Sequence, residues 1–322
     1  MNLSEIYLQL QNDINIIETS LEQTIRAENE VLRQASTDLL KAGGKRIRPV
    51  FVLLSGKFGH YDINVLKHIA VPLELIHMAS LVHDDVIDDA DLRRGKKTVK
   101  SQWDNRIAMY TGDYIFGKAI EQASFFDNQA MHRILSFAMK EMCVGEVEQI
   151  RDQFNWDQNL KQYLRRIKRK TALLIAISCE LGAIASGAPK SIQRHLYYFG
   201  YYVGMSFQII DDVLDFIGTE KQLGKPAGGD LLQGNITLPA LYTLNEDPEF
   251  KDLIVNALHD PFTAVDLSKF IKKVSDSGGI EYALAMSDRY LQKAHRVLEK
   301  LPDNEAKVYL SQIATYIGRR EF

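Results

Sequence analysis

Cysteine is scarce: Cys143 and Cys179 are the only two among 322 residues. Neither belongs to a CxxC pair or has a histidine at metal-pair spacing, so the sequence excludes a disulfide framework and a zinc site of that kind. A chain of this length buries enough apolar surface to be stable without such cross-links. We therefore predict that both cysteines are reduced residues of the core.

An excess of charge of either sign is also missing. The 39 Lys and Arg residues nearly balance the 42 Asp and Glu residues, which gives a formal net charge of -3. A chain with so little net charge has no overall field that attracts nucleic acid or an anionic membrane. No nucleic-acid partner is expected, and any function that depends on charge must come from local clusters.

Long apolar runs and a leader segment are absent from the pattern as well. Residues 1–20 lack a basic stretch followed by an apolar one, so no signal peptide is predicted. The apolar stretch 172–187 is interrupted by Glu180 and is shorter than the ~20 residues that cross a membrane. The sequence therefore predicts a cytoplasmic protein that does not span a membrane.

Proline is rare, with 8 residues in the chain and none between Pro72 and Pro189. Nothing in that interval forces a helix to break. Apolar residues recur every three or four positions, as at Ile69, Leu73 and Ile76, whereas alternating strand patterns are hard to find. The sequence therefore predicts an all-α protein.

No linker divides the chain. Stretches rich in Ser, Pro or Gly are missing, so a single large helical domain, residues 1–322, is expected in place of two. The segment 197–210 is nearly all apolar, with Gly200 and Gly204 four residues apart. It is predicted to be a central helix that packs closely on a neighbour.

What the sequence does contain is two similar acidic motifs, DDVID at 84–88 and DDVLD at 211–215, each after an apolar segment. On a helix the first and last aspartates, such as Asp84 and Asp88, share one face, where their repulsion requires a cation. Carboxylates without histidine or cysteine suit Mg²⁺, which keeps positions for substrate phosphates. A solvated helix end is the alternative for one copy, and the repetition favours a metal site.

Positive charge is clustered too, in segments that alternate with the acidic motifs. A mixture of Arg forks and Lys point charges suits a diphosphate. The clusters comprise Lys45, Arg46 and Arg48 in a glycine-rich turn, Arg93 and Arg94, the segment 165–170, and Lys225. In RRIKRK we expect Arg165, Arg166 and Lys168 on a solvated helix face, and Lys170 at the site. His77 is either a phosphate donor or a core histidine.

Five segments occur in the order in which they are found in trans-polyprenyl (isoprenyl) diphosphate synthases, and the chain resembles that family over essentially its whole length. The segments are GGKRIRP, HDDVIDDADLRRG, KRKTA, FQIIDDVLDF and GKPAGGDL. The resemblance implies an isoprenoid-synthase-type helix bundle around a central cavity. It also implies a Mg²⁺-dependent transferase that adds isopentenyl diphosphate head to tail to an allylic diphosphate such as farnesyl diphosphate.

The resemblance further implies roles for residues of this chain. The metal ligands would be Asp84, Asp85, Asp88, Asp211, Asp212 and Asp215. The residues that contact the allylic diphosphate would be Arg93, Lys170 and Lys225, and those that bind isopentenyl diphosphate would be Lys45, Arg48, His77 and Arg94. Thr171 and Gln208 would face the allylic carbons. Asn235 stands where the family often has a lysine, so no phosphate contact is expected from that position.

Product length is predicted from the residues upstream of the first motif. Ile76, Ala79 and Ser80 lie on or near the helix face of Asp84, and none is aromatic. In the family a bulky residue at this place closes the product tunnel early, so a product longer than farnesyl is expected. The alternative is that small residues only allow close helix packing.

Other phrases of the chain, such as GGDLLQGNITLPALY, resemble the catalytic chain of two-component bacterial enzymes that make the heptaprenyl side chain of menaquinone. The resemblance implies a heterodimer with a small component 1 subunit, with a homodimer as the other possibility. A homomeric geranylgeranyl or hexaprenyl synthase, a class I terpene cyclase and a non-catalytic subunit stay open. The second DDVLD argues against the cyclase, and the retained aspartates and arginines argue against a non-catalytic chain.

Overall fold

The computed structural model describes residues 3–93, 95–219, 227–259 and 266–319. In these residues the backbone is mostly helical, and the strands found there are the two-residue β1 (Leu92–Arg93) and β2 (Lys96–Lys97). The two strands pair antiparallel, Leu92 with Lys97 and Arg93 with Lys96. The prediction of an all-α protein is confirmed.

The chain groups into two compact units. The first unit comprises residues 1–139, 174–200 and 296–313, and the second comprises residues 140–173, 201–295 and 314–322. The prediction of a single domain stays a prediction.

The helices are numbered along the chain. The earlier ones are α1 (Leu3–Gln9), α2 (Gln11–Thr24), α3 (Glu30–Lys41), α4 (Ile47–Gly56), α5 (Ile63–Ile87), α6 (Val99–Gln102), α7 (Asn105–Ala123), α8 (Gln129–Asp152) and α9 (Leu160–Ile167). A π-helical turn (Lys168–Ala172) follows α9 directly. The later helices are α10 (Leu173–Ala185), α11 (Lys190–Ile217), α12 (Gly229–Leu232), α13 (Leu238–Glu246), α14 (Pro248–His259), α15 (Leu267–Asp276), α16 (Gly279–Leu298) and α17 (Glu305–Gly318).

The first acidic motif lies at the C-terminal end of α5, in the first unit. The helix begins after Asp62, whose side chain accepts a hydrogen bond from the N–H of Asn64 at 2.9 Å. Its last turn is closed by the N–H of Asp88, which donates to the carbonyl of Asp84 at 2.8 Å. Most of α5 is buried, and it packs against α4 and α7. The motif therefore starts within a core helix and ends at its C-cap.

In the described part of the chain, the helix that could cross a membrane by length and composition is α5, and not the stretch 172–187. It is long and apolar enough to cross a membrane by length and composition, yet 67% of its most apolar window is buried within the protein. It also continues through Pro72, which is itself buried. A buried core helix passes the same test, so a single helix of this kind is a weak indication of a membrane span.

The second unit has its core around the helix that carries the second motif. Ile209 and Val213 of α11 are buried four residues apart, in one cluster with Tyr163 of α9, Leu241 of α13 and Phe250 of α14. Residues at that spacing lie on the same face of a helix. The apolar face of α11 is therefore fixed by these neighbours, and the aspartates of the motif are carried on the same rigid helix.

The predicted close packing of α11 is confirmed at both glycines. A Cβ atom on Gly200 would lie 2.8 Å from the carbonyl oxygen of Ile175, and one on Gly204 would lie 2.6 Å from Cα of Ala172. Both contacts are with backbone, which cannot turn away as a flexible side chain can. Only glycine allows the two backbones to approach so closely.

The two cysteines differ in burial. Cys179 in α10 is buried, and burial raises the pKa of its thiol to about 12. Cys143 in α8 is exposed, so the prediction that both cysteines are core residues is wrong for Cys143. Met142 and Gly145 occupy the buried face of α8 instead, and a step of one residue turns a side chain by about 100° around the helix.

Candidate active site

The first acidic motif contains two kinds of carboxylate. Asp84 and Asp88 are half-buried and lie four residues apart at the end of α5. Asp85 is 2% exposed, and its Oδ1 accepts a hydrogen bond from Nε of Arg93 at 2.8 Å and forms an ion pair with Nη2 at 2.7 Å. Burial raises the pKa of Asp85, and the Arg93 guanidinium offsets part of that rise. The structure thus pairs a predicted metal ligand with a predicted diphosphate-binding residue.

The acidic residues beyond the motif are neutralised within the chain. The ammonium group of Lys100, in α6, forms an ion pair with Asp89 and lies 3.8 Å from Oδ1 of Asp91. The hydroxyl of Ser101 also donates to Asp91, at 2.7 Å. Lys100 and Arg93 therefore supply part of the positive charge that the repulsion requires. Arg93 was predicted from the sequence, whereas Lys100 was not.

A cavity of the first unit lies beside α5. Its lining includes Gly43, Arg46, Glu74, His77 and Arg93. The resemblance assigns His77 to isopentenyl diphosphate and Arg93 to the allylic diphosphate, and the structure brings both to the same cavity. A guanidinium and an imidazole can both donate hydrogen bonds to phosphate oxygens. The rest of the lining includes the acidic Glu74 and the apolar Leu39, Ala42, Met78 and Leu81, so His77 and Arg93 are the candidate donors here.

Arg46 is a buried structural cation. Its Nε donates to Glu18 at 2.5 Å, its Nη1 to Glu74 at 3.3 Å, and its Nη2 to the carbonyl of Leu40 at 3.1 Å. Burial alone would lower the pKa of Arg46, but the two carboxylates outweigh it and raise the pKa. Glu74, a buried acid of α5, was missed in the sequence, where the signal was a single acidic residue within an apolar segment.

The other basic residues of the GGKRIRP turn differ in exposure. Lys45 is exposed, and its carbonyl accepts a hydrogen bond from the hydroxyl of Tyr7. Arg48, in the first turn of α4, is 8% exposed. Two further predicted phosphate ligands, Arg94 and Lys225, lie outside the described residues.

The three predicted chain-length residues lie in α5 before the first motif. Ile76 and Ala79 are 2% and 0% exposed. Ser80 is half-buried, and its hydroxyl donates to the carbonyl of His77 at 2.8 Å. Burial of this kind fits both a residue at the floor of a tunnel and one that only packs against a neighbour, so their role stays a prediction.

In the second unit the π-helical turn carries Lys170 and Thr171 of the KRKTA segment. Such turns insert one residue into a helix and are frequent at functional sites. Nζ of Lys170 lies 3.1 Å from Oε1 of Gln149 and 3.6 Å from a carboxylate oxygen of Glu146, both in α8. Neither partner of Lys170 was identified from the sequence, because both are distant from it along the chain.

The other basic residues of RRIKRK only partly follow the prediction. Arg165 and Lys168 are exposed, as expected for a solvated helix face. Arg166 is half-buried, and its Nη1 donates to Oε1 of Gln158 at 2.7 Å. Its guanidinium lies 5.6 Å from the ring centre of Tyr163. The prediction is therefore wrong for Arg166, because neighbouring residues of the second unit bind it.

The second acidic motif also contains a carboxylate that accepts hydrogen bonds from other side chains of the protein. Asp211 is half-buried, whereas Asp212 and Asp215 are 5% and 2% exposed. Oδ2 of Asp212 accepts a hydrogen bond from the phenol of Tyr163 at 2.7 Å, and Oδ1 accepts one from Nε2 of Gln208 at 2.9 Å. Burial raises the pKa of Asp212 to about 7.

Two residues predicted to face the allylic carbons are joined directly. The hydroxyl of Thr171 donates to Oε1 of Gln208 at 2.6 Å.

Asp230, in the GGDL segment, is half-buried, and its charge contributes to the raised pKa of Asp212. The N–H of Asn235 donates to the carbonyl of Asp230 at 2.9 Å. No role is predicted for Asp230 from the sequence, but its charge acts on Asp212 of the motif.

The donor set decides whether a metal ion fits the first motif. Among the described residues, no group of three or more His, Cys, Asp or Glu side chains is placed to hold an ion. Asp84 and Asp88 do form a pair of half-buried carboxylates on one helix face. Mg²⁺ is commonly bound by one or two carboxylates, with water and substrate phosphates completing its shell. The residues therefore fit an ion that is bound together with a phosphorylated substrate.

Comparisons with known proteins and structures all find enzymes of one family. Residues 29–274 match the family described as polyprenyl synthetase. The chain is 57% identical over 322 residues to heptaprenyl diphosphate synthase component 2 of Bacillus subtilis, covering 100% of this chain and 92% of that protein. It is 53% identical to the component 2 of Geobacillus stearothermophilus, with all of both chains covered. The crystal structure of heptaprenyl diphosphate synthase from Staphylococcus aureus is similar with a TM-score of 0.91 and 45% identity, covering 97% of this chain and 98% of that one.

Proposed function

The chain belongs to the polyprenyl synthetase family, and on that premise we propose that it adds isopentenyl diphosphate units to farnesyl diphosphate to give heptaprenyl diphosphate for the menaquinone side chain. As a member of the family it is a long-chain trans-prenyltransferase. The observation that carries the finer proposal is the 57% identity, over all 322 residues, to a protein named as a heptaprenyl diphosphate synthase component.

Enzymes of this family generally depend on a divalent metal ion, and we propose Mg²⁺. As the resemblance implies, each motif would supply metal ligands, which are Asp84 and Asp88 in the first and Asp211, Asp212 and Asp215 in the second. When bound, the ion supplies positive charge that stabilises the leaving diphosphate. Asp85 is given a different role, which is to hold the Arg93 guanidinium through the hydrogen bond and the ion pair at its Oδ1.

The basic residues bind and orient the two diphosphates. Arg93 and Lys170 are proposed to contact the allylic diphosphate, and Lys45, Arg48 and His77 to contact that of isopentenyl diphosphate. Charge-assisted hydrogen bonds of this kind are the strong ones in proteins. Holding both substrates in a head-to-tail arrangement removes much of the entropic barrier to their reaction.

The reaction breaks the bond between the allylic carbon and the diphosphate oxygen, and the electron pair leaves with the diphosphate. The double bond of isopentenyl diphosphate then attacks the allylic cation, and a proton is lost, for which the departed diphosphate is an available acceptor. We propose that Thr171 and Gln208, joined at 2.6 Å, lie beside the allylic carbons, where their oxygen dipoles favour the cation. The apolar helices must exclude water, because water would capture the cation.

One reconstitution assay tests this proposal. The purified chain is incubated with Mg²⁺, labelled isopentenyl diphosphate and farnesyl diphosphate, with and without a small component 1 subunit, and the product alcohols are separated by chromatography. The relatives named component 2 imply a partner component, so we expect heptaprenyl product only when both chains are present. Elongation by this chain alone would contradict the proposed heteromeric assembly. A cyclised hydrocarbon product would contradict the proposed synthase activity.

The product-length proposal is tested at Ala79. We expect Ala79→Tyr to shorten the product, because the phenol would fill space that the growing chain needs, and chromatography of the alcohols measures the length. If Ala79 only packs against a neighbouring helix, the same change overpacks the core and lowers stability by about 1–3 kcal/mol. A thermal melt of the same sample therefore separates the two roles. Unchanged product length with a lowered melting temperature would contradict the proposal that Ala79 limits the length of the product tunnel.

The proposal extends to the place of the enzyme in the cell. We propose that it works in the cytoplasm without spanning a membrane, with α5 as a core helix of the first unit. The burial of most of the apolar window of α5 supports this proposal.

A further inference from the structure

Tyr163 carries no role in any of the motifs, yet it is one of the most deeply buried side chains of the protein. It lies in α9 with 0% exposure and is the largest side chain among those that are fully buried. Its ring belongs to the apolar core of the second unit, and its hydroxyl donates to Oδ2 of Asp212 at 2.7 Å. A phenol in an apolar core is satisfied only if its hydroxyl finds a partner. Here the partner belongs to the second acidic motif.

Asp212 has both carboxylate oxygens occupied by donors of this chain. Tyr163 donates to Oδ2, and the side-chain amide of Gln208 donates to Oδ1 at 2.9 Å. The carboxylate is 5% exposed, so water has little access to it. A buried acceptor held from two sides has little freedom to rotate. The phenol of Tyr163 therefore fixes the direction in which the second oxygen of Asp212 points.

That direction determines how the amide of Gln208 is oriented. The NH₂ end of Gln208 faces Asp212, because its Nε2 donates to Oδ1 at 2.9 Å. The opposite end of the amide, Oε1, then faces Thr171, whose hydroxyl donates to it at 2.6 Å. The hydrogen bonds form one chain in which Tyr163 and Gln208 donate to Asp212, and Thr171 donates to Gln208.

We propose that Tyr163 is a positioning residue for prenyl transfer, which acts through Asp212 and Gln208 to hold the Gln208 amide and the Thr171 hydroxyl in one orientation. The inference rests on the proposed roles of Gln208 and Thr171 beside the allylic carbons. Two features keep Tyr163 itself in place. Its ring is enclosed by the core of the second unit, and the guanidinium of Arg166 lies 5.6 Å from the ring centre.

The test compares Tyr163→Phe with Tyr309→Phe. Tyr309 is the matched control, because it is also buried, with 3% exposure, and its hydroxyl donates to Glu305 in a part of the chain with no assigned role in the reaction. Steady-state kinetics, thermal melts and the Kd of the thiolo analogue of farnesyl diphosphate are measured for both. The analogue binds without ionising, so its Kd reports on binding alone.

For Tyr163→Phe we expect kcat to fall about ten- to hundredfold, as for a small misplacement of groups at a reacting centre. The KM values and the Kd of the analogue should stay within about twofold, because the basic residues proposed to contact the diphosphates are untouched. Tyr309→Phe should leave kcat unchanged. A melting temperature lowered equally in both variants, with kcat also unchanged for Tyr163→Phe, would overturn the positioning role.

A double-mutant cycle shows whether Tyr163 acts through Gln208. If it does, adding Tyr163→Phe to Gln208→Leu changes kcat by less than about twofold, because the chain of hydrogen bonds is already broken. Effects that multiply would overturn the proposed route. The proposed function itself fails separately, since in that case the unaltered chain with component 1 makes no polyprenyl product from the two diphosphates.

Discussion

Asp84→Asn is expected to lower kcat by about a hundred- to thousandfold, the loss typical when one group that stabilises developing charge is removed. The change is nearly isosteric, but it replaces an anionic oxygen ligand with a neutral amide, and Asp84 is one of the two half-buried carboxylates at the end of α5. Stability should be unchanged or slightly higher, because like charges four residues apart on a helix repel each other. Single-turnover kinetics and a thermal melt of the same preparation measure both quantities.

Asp89→Asn is the matched control for this experiment. Asp89 lies in the same acidic segment, but its side chain is 89% exposed and is paired with Lys100. Its change should alter turnover only a few-fold. Equal losses for the two variants would mean that the net charge of the segment matters and not the position of Asp84. A large loss of stability with retained activity would contradict the metal assignment.

Arg46→Met is expected to lower the free energy of unfolding by about 3–5 kcal/mol, as when one partner of a buried ion pair is removed. Arg46 is 7% exposed and donates to Glu18, Glu74 and a backbone carbonyl. Without it, the carboxylate of Glu74, which is 3% exposed, would be left in the core without its cation. Urea denaturation followed by circular dichroism gives the change directly.

Two further variants determine whether burial is the cause. Lys118→Met removes an ion pair with Glu121 on the surface of α7, and should change stability by no more than about 1 kcal/mol. Adding Glu74→Leu to Arg46→Met should recover part of the loss, since replacing both buried charges with apolar groups is often nearly neutral. If Arg46→Met costs no more than Lys118→Met, the buried pair does not stabilise the fold.

The helical fold and the positions of both acidic motifs followed from local patterns. Apolar residues at helical spacing and the scarcity of proline fixed the class, and the apolar segments before Asp84 and Asp211 placed each motif on a helix. The close packing of the backbone at Gly200 and Gly204 could also be predicted, from their spacing within an apolar segment. These features depend on residues a few positions apart, so one sequence is enough to reveal them.

Contacts between residues that are distant along the chain could not be predicted from such local patterns. Arg93 meets Asp85 because the backbone turns at Asp89, directly after the motif and before β1. Nothing in the residue types distinguishes a carboxylate that binds an arginine from one that binds a metal ion. Lys170 meets Gln149 only once α8 and the π-helical turn are packed together. For Cys143, composition gave no indication of which face of α8 is exposed.

The contact between Arg93 and Asp85 has a thermodynamic consequence for substrate binding. A long, mobile arginine that is recruited by a ligand loses about 0.5–1.5 kcal/mol of rotamer entropy at that moment. Arg93 is already ordered by a hydrogen bond and an ion pair with the carboxylate of Asp85, which is 2% exposed. Its loss of freedom therefore belongs to the folding of the protein, and a diphosphate that reaches this side chain gains its charge without ordering it first.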